Sequence, residues 1–326
     1  MMKTNVWRIK KLFEREPQDE DLELVEEDLP ELIEGEILIE ALYLTVDPYM
    51  RIFIQTRGKV GDTMFGEQIA KVIESKNKDF PVGTIVRSDS GWRTRTIITS
   101  DKAARMPELG DLPLSTALGV MGMPGMSAYF GLEGIAPPKE GETVVVSGAA
   151  GAVGSLVGQI AKIKGCRVIG FAGDEDKCKW IKELGFDFAY NYKKTSVENA
   201  LNEAAPEGVD WYFDNVGGHF TQTVLKHMRD FGRMIICGQI SQYNDTEPMN
   251  APVPFPLILT KQLRVQGFLG WSFYSKWPEG EKQMAAWIKE GKIKYKETVT
   301  EGFENMYTAF RGLFKGSNTG KAIVKC

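Results

Sequence analysis

Residues 143–154 read Thr-Val-Val-Val-Ser-Gly-Ala-Ala-Gly-Ala-Val-Gly, and this stretch decides the fold. Its three consecutive valines are typical of a strand that is buried on both faces of a parallel sheet. The glycines Gly148, Gly151 and Gly154 follow at three-residue spacing. The next residues, 155–164, place their apolar side chains on one side of a helix. The pattern therefore predicts a strand, a glycine turn and a helix in succession.

A turn of this kind can bind the pyrophosphate of a dinucleotide. The first backbone N–H groups of the helix lack partners, and the helix dipole favours negative charge there. Glycine allows the phosphate to approach the backbone because it has no Cβ. The spacing is G-x-x-G-x-x-G rather than the usual G-x-G-x-x-G, so the turn alone can equally be structural.

The residues that follow repeat the alternation of strand and helix. Apolar runs at 165–172, 209–213 and 234–238 predict three further strands, and residues 179–184 begin a helix between the first two of them. This βαβαβ succession is typical of a Rossmann-type, doubly wound parallel sheet. We therefore expect an α/β fold that binds a dinucleotide.

The chain's length and its first third indicate a second domain. A chain of 326 residues fits two domains. The first 120 residues contain short strand-like runs that predict a β-rich domain, at 36–42, 67–73, 84–87 and 93–99. A final helix is predicted at 306–314 and a final strand at 321–324.

Composition excludes several classes of function. The net charge of −4 and the pI near 5.5 argue against a nucleic-acid partner. No apolar run reaches the length of a membrane span and no signal-peptide core is present, so we expect a cytoplasmic protein without a membrane partner. Residues 1–165 contain neither Cys nor His, which argues against a catalytic zinc, and we predict no metal site. We expect the two histidines, His219 and His227, to be surface or packing residues.

Five separated motifs resemble one family. They are Val-Asp-Pro-Tyr-Met-Arg at 46–51, Ala-Ala-Gly-Ala-Val-Gly at 149–154, Phe-Asp-Asn-Val-Gly-Gly at 213–218, Gly-Phe-Glu-Asn-Met at 302–306 and Gly-Lys-Ala-Ile-Val at 320–324. Together they resemble the zinc-independent medium-chain dehydrogenase/reductases, and within them the prostaglandin and 2-alkenal reductases. The resemblance covers essentially the whole chain.

The resemblance implies a domain organisation and an activity. It implies a GroES-like substrate domain at residues 1–121 that is completed by 300–326, and a Rossmann domain at 122–299. NADPH is then the cofactor. The reaction is the reduction of a C=C bond conjugated to a carbonyl, in small enals, enones or eicosanoids such as 15-oxo-prostaglandins. The group also includes leukotriene B4 12-hydroxydehydrogenase, and it implies a homodimer.

The resemblance also implies which residues contact the cofactor. Ala152, Val153, Gly154 and Ser155 should lie along the pyrophosphate, and Lys177 should contact the 2′-phosphate, where an ammonium suits a dianion. The remaining implied contacts are Tyr192, Asn215, Cys237, Gly238, Ser241, Tyr243, Phe268, Leu269, Gly270 and Asn318.

Three acidic residues leave the choice of cofactor open on the motif alone. Asp174, Glu175 and Asp176 lie about 20 residues after the glycine turn, where an NAD enzyme places the acid that binds its ribose. The same run contains Lys177, which favours NADP. The residues alone therefore allow either cofactor, whereas the resemblance implies NADP.

The catalytic group is where this chain departs from the family. In prostaglandin reductases a tyrosine donates a hydrogen bond to the substrate carbonyl, and the matching position here is Thr260. The donor is then Thr260, Tyr49, Tyr243 or the cofactor ribose alone. We hypothesise that Tyr49 donates to the enolate, although it can equally be a packed loop tyrosine. Arg51 can anchor a substrate carboxylate or be structural.

Two other functions remain open at this stage. The first is an NADPH quinone oxidoreductase of the same fold. The second is a non-catalytic NADPH-binding regulator, which the loss of the tyrosine at position 260 would suit. Fast reduction of enones by the protein with NADPH would distinguish a C=C reductase from both alternatives.

Overall fold

The computed structural model describes residues 2–246 and 254–326. The chain forms two compact units. The first comprises Met1–Leu118, Glu297–Asn318 and Ala322–Cys326, and the second comprises Gly119–Lys296 and Thr319–Lys321. In the described ranges, no helix has the length and apolar character that crossing a bilayer requires.

The described residues form strands and helices throughout both units. The strands are β1 (Lys3–Ile9), β2 (Leu22–Asp28), β3 (Glu36–Thr45), β4 (Gln68–Ser75), β5 (Ile85–Ser88), β6 (Arg95–Thr99), β7 (Thr143–Val146), β8 (Arg167–Ala172), β9 (Phe188–Asn191), β10 (Val209–Asp214), β11 (Met228–Ile236), β12 (Arg264–Gly267), β13 (Glu297–Glu301) and β14 (Lys321–Lys325). The α-helices are α1 (Tyr49–Arg57), α2 (Met123–Phe130), α3 (Gly154–Ile163), α4 (Glu175–Glu183), α5 (Val197–Ala204), α6 (Gly218–His227), α7 (Phe255–Thr260), α8 (Trp277–Lys289) and α9 (Met306–Phe314).

The first unit is the predicted β-rich domain. Its main sheet has the order β13-β14-β3-β4-β5, with β6 also paired to β3, and β1 and β2 form a separate antiparallel pair. Its core contains Trp92 and Phe310, whose ring centroids are 5.9 Å apart. Met50 and Ile54 bury one side of α1 in this core, which leaves Tyr49 and Phe53 partly exposed on another side.

The second unit is built on a parallel sheet with the order β12-β11-β10-β7-β8-β9. The three valines of β7 are fully buried, as a central strand requires. The chain runs outward from β7 to β9, returns to β10, and then runs outward to β12. The order therefore reverses between β7 and β10, and α/β sheets bind ligands at such a switch point. The predicted α/β fold class is confirmed.

Several element predictions were wrong. The helix α1 at residues 49–57 was not predicted, because its buried residues include the charged Arg51 and its apolar pattern is therefore broken. The fourth strand was expected to end at Gly238, but β11 ends at Ile236 because the N–H groups of Cys237 and Gly238 both turn to the carbonyl of Asp214. The helix α4 begins at Glu175 rather than at residue 179, since Asp174 caps it.

Candidate active site

The glycine turn after β7 has the geometry that its spacing requires. Gly148 has a φ of +59°, which favours glycine, and its carbonyl accepts a hydrogen bond from the Gly151 N–H at 3.0 Å. A Cβ on Gly154 would lie 2.4 Å from the Gly148 oxygen. The first glycine therefore turns the chain, and the third allows α3 to start against the turn.

The first turn of α3 presents backbone donors. Within the described part of the chain, the N–H groups of Val153 and Gly154 make no hydrogen bond, whereas the Ser155 N–H donates to the Gly151 carbonyl at 3.1 Å. The first turn of α3 carries no acidic side chain. Free donors at the N-terminus of a ten-residue helix fit a pyrophosphate. Of the predicted residues, Val153 and Gly154 supply N–H donors, while Ser155 can offer only its hydroxyl.

The three acidic residues after β8 are engaged in their own structure. Asp174 accepts a hydrogen bond from the Lys177 N–H at 2.8 Å and thereby caps α4. Glu175 accepts from the Asn191 amide at 3.0 Å and pairs with Lys194, and Asp176 pairs with Lys179. A carboxylate that caps a helix has fewer lone pairs for a ribose hydroxyl. Asp174, which could have selected NAD by binding its ribose, is thus used to cap α4.

Cationic and hydroxyl groups surround the same end of β8. A Cβ on Gly173 would lie 3.1 Å from the Tyr192 hydroxyl oxygen, so this hydroxyl covers the end of the strand. The Lys177 side chain is largely buried, and burial, followed by the nearby charge of Lys193, lowers the pKa of Lys177. A dianionic phosphate would compensate both effects. Lys177, in the first turn of the helix that follows β8, and Tyr192, whose hydroxyl lies near Gly173, are thus both near the end of this strand.

Asn215 lies at the carboxyl end of β10, beside the glycine turn. Its side-chain amide donates to the Ser147 carbonyl at 2.7 Å, and its backbone N–H donates to the Ser147 hydroxyl oxygen at 2.9 Å. These bonds fix the orientation of the amide. The Asn215 Oδ1 atom, which makes no hydrogen bond within residues 2–246 and 254–326, is left as an acceptor for a ribose hydroxyl or a carboxamide.

The segment after β11 packs on the turn that contains Asn215. The Ser241 hydroxyl donates to the Val216 carbonyl at 2.6 Å, so its proton is already used. The Tyr243 hydroxyl oxygen accepts from the Gln239 N–H at 3.1 Å and keeps its own proton for another acceptor. A Cβ on Gly238 would lie 3.1 Å from this oxygen, which explains the glycine. Gly238, Ser241 and Tyr243 therefore lie close to the turn of Asn215, and Cys237 directly precedes Gly238.

Cys237 is not a nucleophile. Burial, and to a smaller extent the charge of Asp214, raises the pKa of its thiol to about 12. The thiolate is therefore scarce at neutral pH. The two histidines lie on α6, where His219 is exposed and His227 contacts the Thr223 carbonyl and Asn202. In the described ranges, neither histidine makes a hydrogen bond to this thiol.

The segment after β12 completes the carboxyl edge of the sheet. The Phe268 N–H donates to the Ile236 carbonyl at 3.3 Å, and the Phe268 ring lies 6.2 Å from that of Phe213. A Cβ on Gly270 would lie 2.4 Å from the Ser127 hydroxyl oxygen, so this position requires glycine. Leu269, between these two residues in the chain, is exposed. The predicted segment 268–270 is thus close to the end of β11.

Three further candidate residues, Thr260, Asn318 and Arg51, lie outside the segments described so far. The Thr260 hydroxyl, at the exposed end of α7, donates to the Pro256 carbonyl at 2.8 Å. Asn318 is the last residue of the segment Glu297–Asn318, which belongs to the first unit, and the next residue, Thr319, belongs to the second unit. Arg51 is fully buried, donates to the Arg15 carbonyl at 3.1 Å and lies over the ring of Phe13. These contacts favour the structural interpretation of Arg51.

Tyr49 is the first residue of α1 in the first unit. Its ring lies 5.1 Å from that of Phe53 in an edge-on arrangement. Burial, followed by the nearby carboxylates of Asp47, Asp89 and Glu67, raises the pKa of Tyr49 well above its ordinary value. The hydroxyl therefore stays protonated at neutral pH.

Two residues that sequence reasoning did not single out also belong to this edge. Ser147 links the glycine turn to Asn215, and Asp214 accepts hydrogen bonds from the turn that it precedes. Both lie inside the quoted motifs. Their positions beside predicted contacts were a signal, but their bonding partners were not readable from the sequence.

Comparison with known proteins gives consistent matches along the chain. Residues 5–106 match the family model of the N-terminal domain of oxidoreductases, and residues 152–290 match that of zinc-binding dehydrogenases. Prostaglandin reductase 1 of Bos taurus is 54% identical and covers 100% of both chains. The NADP-dependent 2-alkenal reductase of Nicotiana tabacum is 41% identical over 89% of this chain and 87% of its own. The crystal structure of CurA from Vibrio vulnificus in complex with NADPH is 38% identical, with a TM-score of 0.92 and 98% coverage of each chain.

One of the two family descriptions names zinc, so we looked for side chains that could bind a zinc ion. In the part of the chain that the structure describes, no group of three or more His, Cys, Asp or Glu side chains could hold a metal ion. We therefore derive no catalytic step through zinc.

Proposed function

Because the chain belongs to the zinc-independent medium-chain dehydrogenase/reductases, in the group of prostaglandin reductase 1, we propose that its substrates are 2-alkenals and 15-oxo-prostaglandins. The enzyme is an NADP-dependent oxidoreductase that reduces the C=C bond of α,β-unsaturated carbonyl compounds. Oxidation of leukotriene B4 stays a prediction of the family resemblance, and the cytoplasmic location stays a prediction from the hydropathy of the sequence.

The residues after β7, β8 and β10 form the proposed cofactor site. The N–H groups of Val153 and Gly154 would hold the pyrophosphate, and Lys177 with Tyr192 would hold the 2′-phosphate. Asn215 would accept a hydrogen bond from the nicotinamide half. Bound NADPH supplies the hydride that the β-carbon of the substrate receives.

The protein must stabilise the negative charge that develops on the carbonyl oxygen of the substrate. A hydrogen-bond donor that is placed in advance lowers the energy of this enolate. We assign this role to the Tyr49 hydroxyl, because burial raises the pKa of Tyr49 well above its ordinary value and keeps this hydroxyl protonated. Water can protonate the α-carbon afterwards, so no acidic side chain is needed there.

One observation favours hydride transfer over a covalent mechanism. The carboxyl edge of the parallel sheet gathers anion-binding donors and a single cysteine whose thiol stays protonated. Such a site can position a nicotinamide and a substrate, but it contains no activated nucleophile. Hydride transfer with hydrogen-bond stabilisation is the chemistry that it supports.

Oxidation of NADPH in the presence of different acceptors tests the function. We expect the purified protein to consume NADPH rapidly with 4-hydroxynonenal or a 15-oxo-prostaglandin, and slowly with a simple quinone. The saturated carbonyl product identifies C=C reduction. Faster turnover of quinones than of all enones would favour the quinone reductase, and tight NADPH binding without any turnover would favour the regulator.

We also propose that two copies associate through β12. This strand stands at one end of the parallel sheet, and edge strands with apolar side chains readily pair with another chain. Its Val265 is 36% exposed, and Phe255 and Leu259 on the preceding helix are 69% and 76% exposed. A second copy would cover this surface.

Light scattering after size exclusion tests this association. We expect Val265→Lys with Leu259→Lys to convert a dimer into a monomer, because each charge would be buried in the interface. Val82→Lys is the matched control, since Val82 is similarly exposed but lies in the first unit. A wild-type monomer, or a double variant that stays dimeric, would contradict the proposal.

A further inference from the structure

The carboxylate of Asp214 is fully buried at the end of β10. Its Oδ1 atom accepts from the Tyr212 hydroxyl at 2.8 Å and from the Ser147 hydroxyl at 3.1 Å. The same atom accepts from the N–H groups of Val216 and Gly217, each at 2.9 Å. Its Oδ2 atom accepts from the Thr221 hydroxyl at 2.5 Å. A buried carboxylate is tolerated only when it is compensated in this way.

These bonds join segments that are far apart in the sequence. Ser147 follows β7, Thr221 lies on α6, and the Asp214 carbonyl accepts the N–H groups of Cys237 and Gly238 after β11. One residue thus connects the carboxyl ends of three adjacent strands, β7, β10 and β11. This is also the place where the strand order reverses.

The position of these bonds in the sheet indicates which half of the cofactor they affect. Lys177 and Tyr192 lie at the end of β8, on one side of β7, and so belong to the adenosine half. Asp214 lies on the other side of β7, at the end of β10. Because a dinucleotide spans the crevice at the switch point, the residues after β10 face its second nucleotide, which carries the nicotinamide.

We infer that Asp214 is a positioning residue for hydride transfer, whose carboxylate holds Ser147 and the turn of Asn215 in the arrangement that receives the nicotinamide. The inference rests on the proposed function. Asn215 is the intermediary, because its N–H donates to the Ser147 hydroxyl, which in turn donates to Asp214. Its side-chain amide donates to the carbonyl of the same Ser147. Loss of the carboxylate would loosen the turn that carries Asn215, because the N–H groups of Val216 and Gly217 and the Ser147 hydroxyl would lose their charged acceptor. It would remove no group that contacts the phosphates.

Three variants test the inference with one matched control. Asp214→Asn removes the charge, Ser147→Ala removes the hydroxyl that joins the Asn215 N–H to the carboxylate, and Thr221→Val removes the donor to Oδ2. Thr223→Val is the control, since the Thr223 hydroxyl lies on the same helix but donates to the His219 carbonyl. Should Asp214→Asn fail to fold, the other two variants carry the test.

We expect the variants to lower the rate of hydride transfer while leaving the affinity for NADPH almost unchanged. We expect the single-turnover rate of hydride transfer from NADPH to an enone to fall by about 100-fold in Asp214→Asn, because a small misplacement of the reactants has this effect. Ser147→Ala and Thr221→Val should lose about tenfold. The Kd for NADPH should change little, since the phosphate contacts remain. A role in stability alone would lower the melting temperature and leave the rate of the folded enzyme unchanged, which would overturn the inference.

A spectroscopic readout separates this inference from the proposed function. The circular dichroism of bound NADPH in the nicotinamide absorption band reports how the ring is held and requires no substrate. If the wild type binds NADPH but reduces no enone, the proposed function fails. The inference then still predicts an altered signal in Asp214→Asn and Ser147→Ala and an unaltered one in Thr223→Val. An unaltered signal in all variants would overturn it.

Discussion

Tyr49→Phe is expected to slow hydride transfer to an enone by about 100- to 1000-fold, the usual cost of removing a donor to a developing oxyanion. The phenylalanine keeps the ring contact with Phe53 and removes only the hydroxyl. Thr260→Val should change the rate by less than about twofold, because the Thr260 hydroxyl donates to the Pro256 carbonyl and has no role in the mechanism proposed here. Single-turnover kinetics with NADPH and a 2-alkenal measure both effects.

The pH dependence of the same rate follows from the direction of the pKa shift. The donor form of Tyr49 is the protonated hydroxyl, and burial raises the pKa of this hydroxyl well above 10. The donor is therefore present at all lower pH values and is lost only as the pH rises through the raised pKa. We expect no decline of the rate near pH 10 from this group.

Tyr243→Phe completes the comparison. The Tyr243 hydroxyl also retains a proton, but it lies beside Gly238 within the proposed cofactor site, so its loss should weaken NADPH binding more than hydride transfer. Unchanged rates in Tyr49→Phe, Tyr243→Phe and Thr260→Val would leave the cofactor ribose as the donor and would refute the role of Tyr49.

Lys177→Met is expected to weaken NADPH binding by about 30- to 150-fold, which corresponds to the roughly 2–3 kcal/mol of a hydrogen bond to a charged group. Methionine keeps the length of the side chain and removes its charge. Binding of NADH, which lacks the 2′-phosphate, should stay the same. Fluorescence titration with both cofactors gives the two Kd values, and the NADPH effect should shrink as salt is added.

Lys179→Met is the matched control for this prediction. Lys179 lies on the same helix, but it is exposed and pairs with Asp176. Equal losses in both variants would indicate a general electrostatic effect rather than a phosphate contact. An unchanged preference for NADPH in Lys177→Met would place the 2′-phosphate elsewhere.

Local patterns were sufficient to predict the fold class and the position of the cofactor site. The apolar run before Gly148 and the apolar helix after Gly154 can form only a strand and a helix that pack together, and the repeated alternation implies a parallel sheet. The short strand β9 was missed because its four residues are all partly exposed and show no clear alternation. Patterns of apolar residues reveal elements that are strongly buried on one face, and β9 is not.

The sequence by itself therefore determined the parallel sheet, its glycine turn and the family of the chain. Only the tertiary structure decided which polar groups remain available for a ligand. Asp174 could have bound a ribose, but it caps α4, and the Thr260 hydroxyl is used by Pro256. Asp214 and Ser147 meet although they are 67 residues apart. A side chain's availability depends on which partners folding places around it, and residue spacing along the chain does not contain that information.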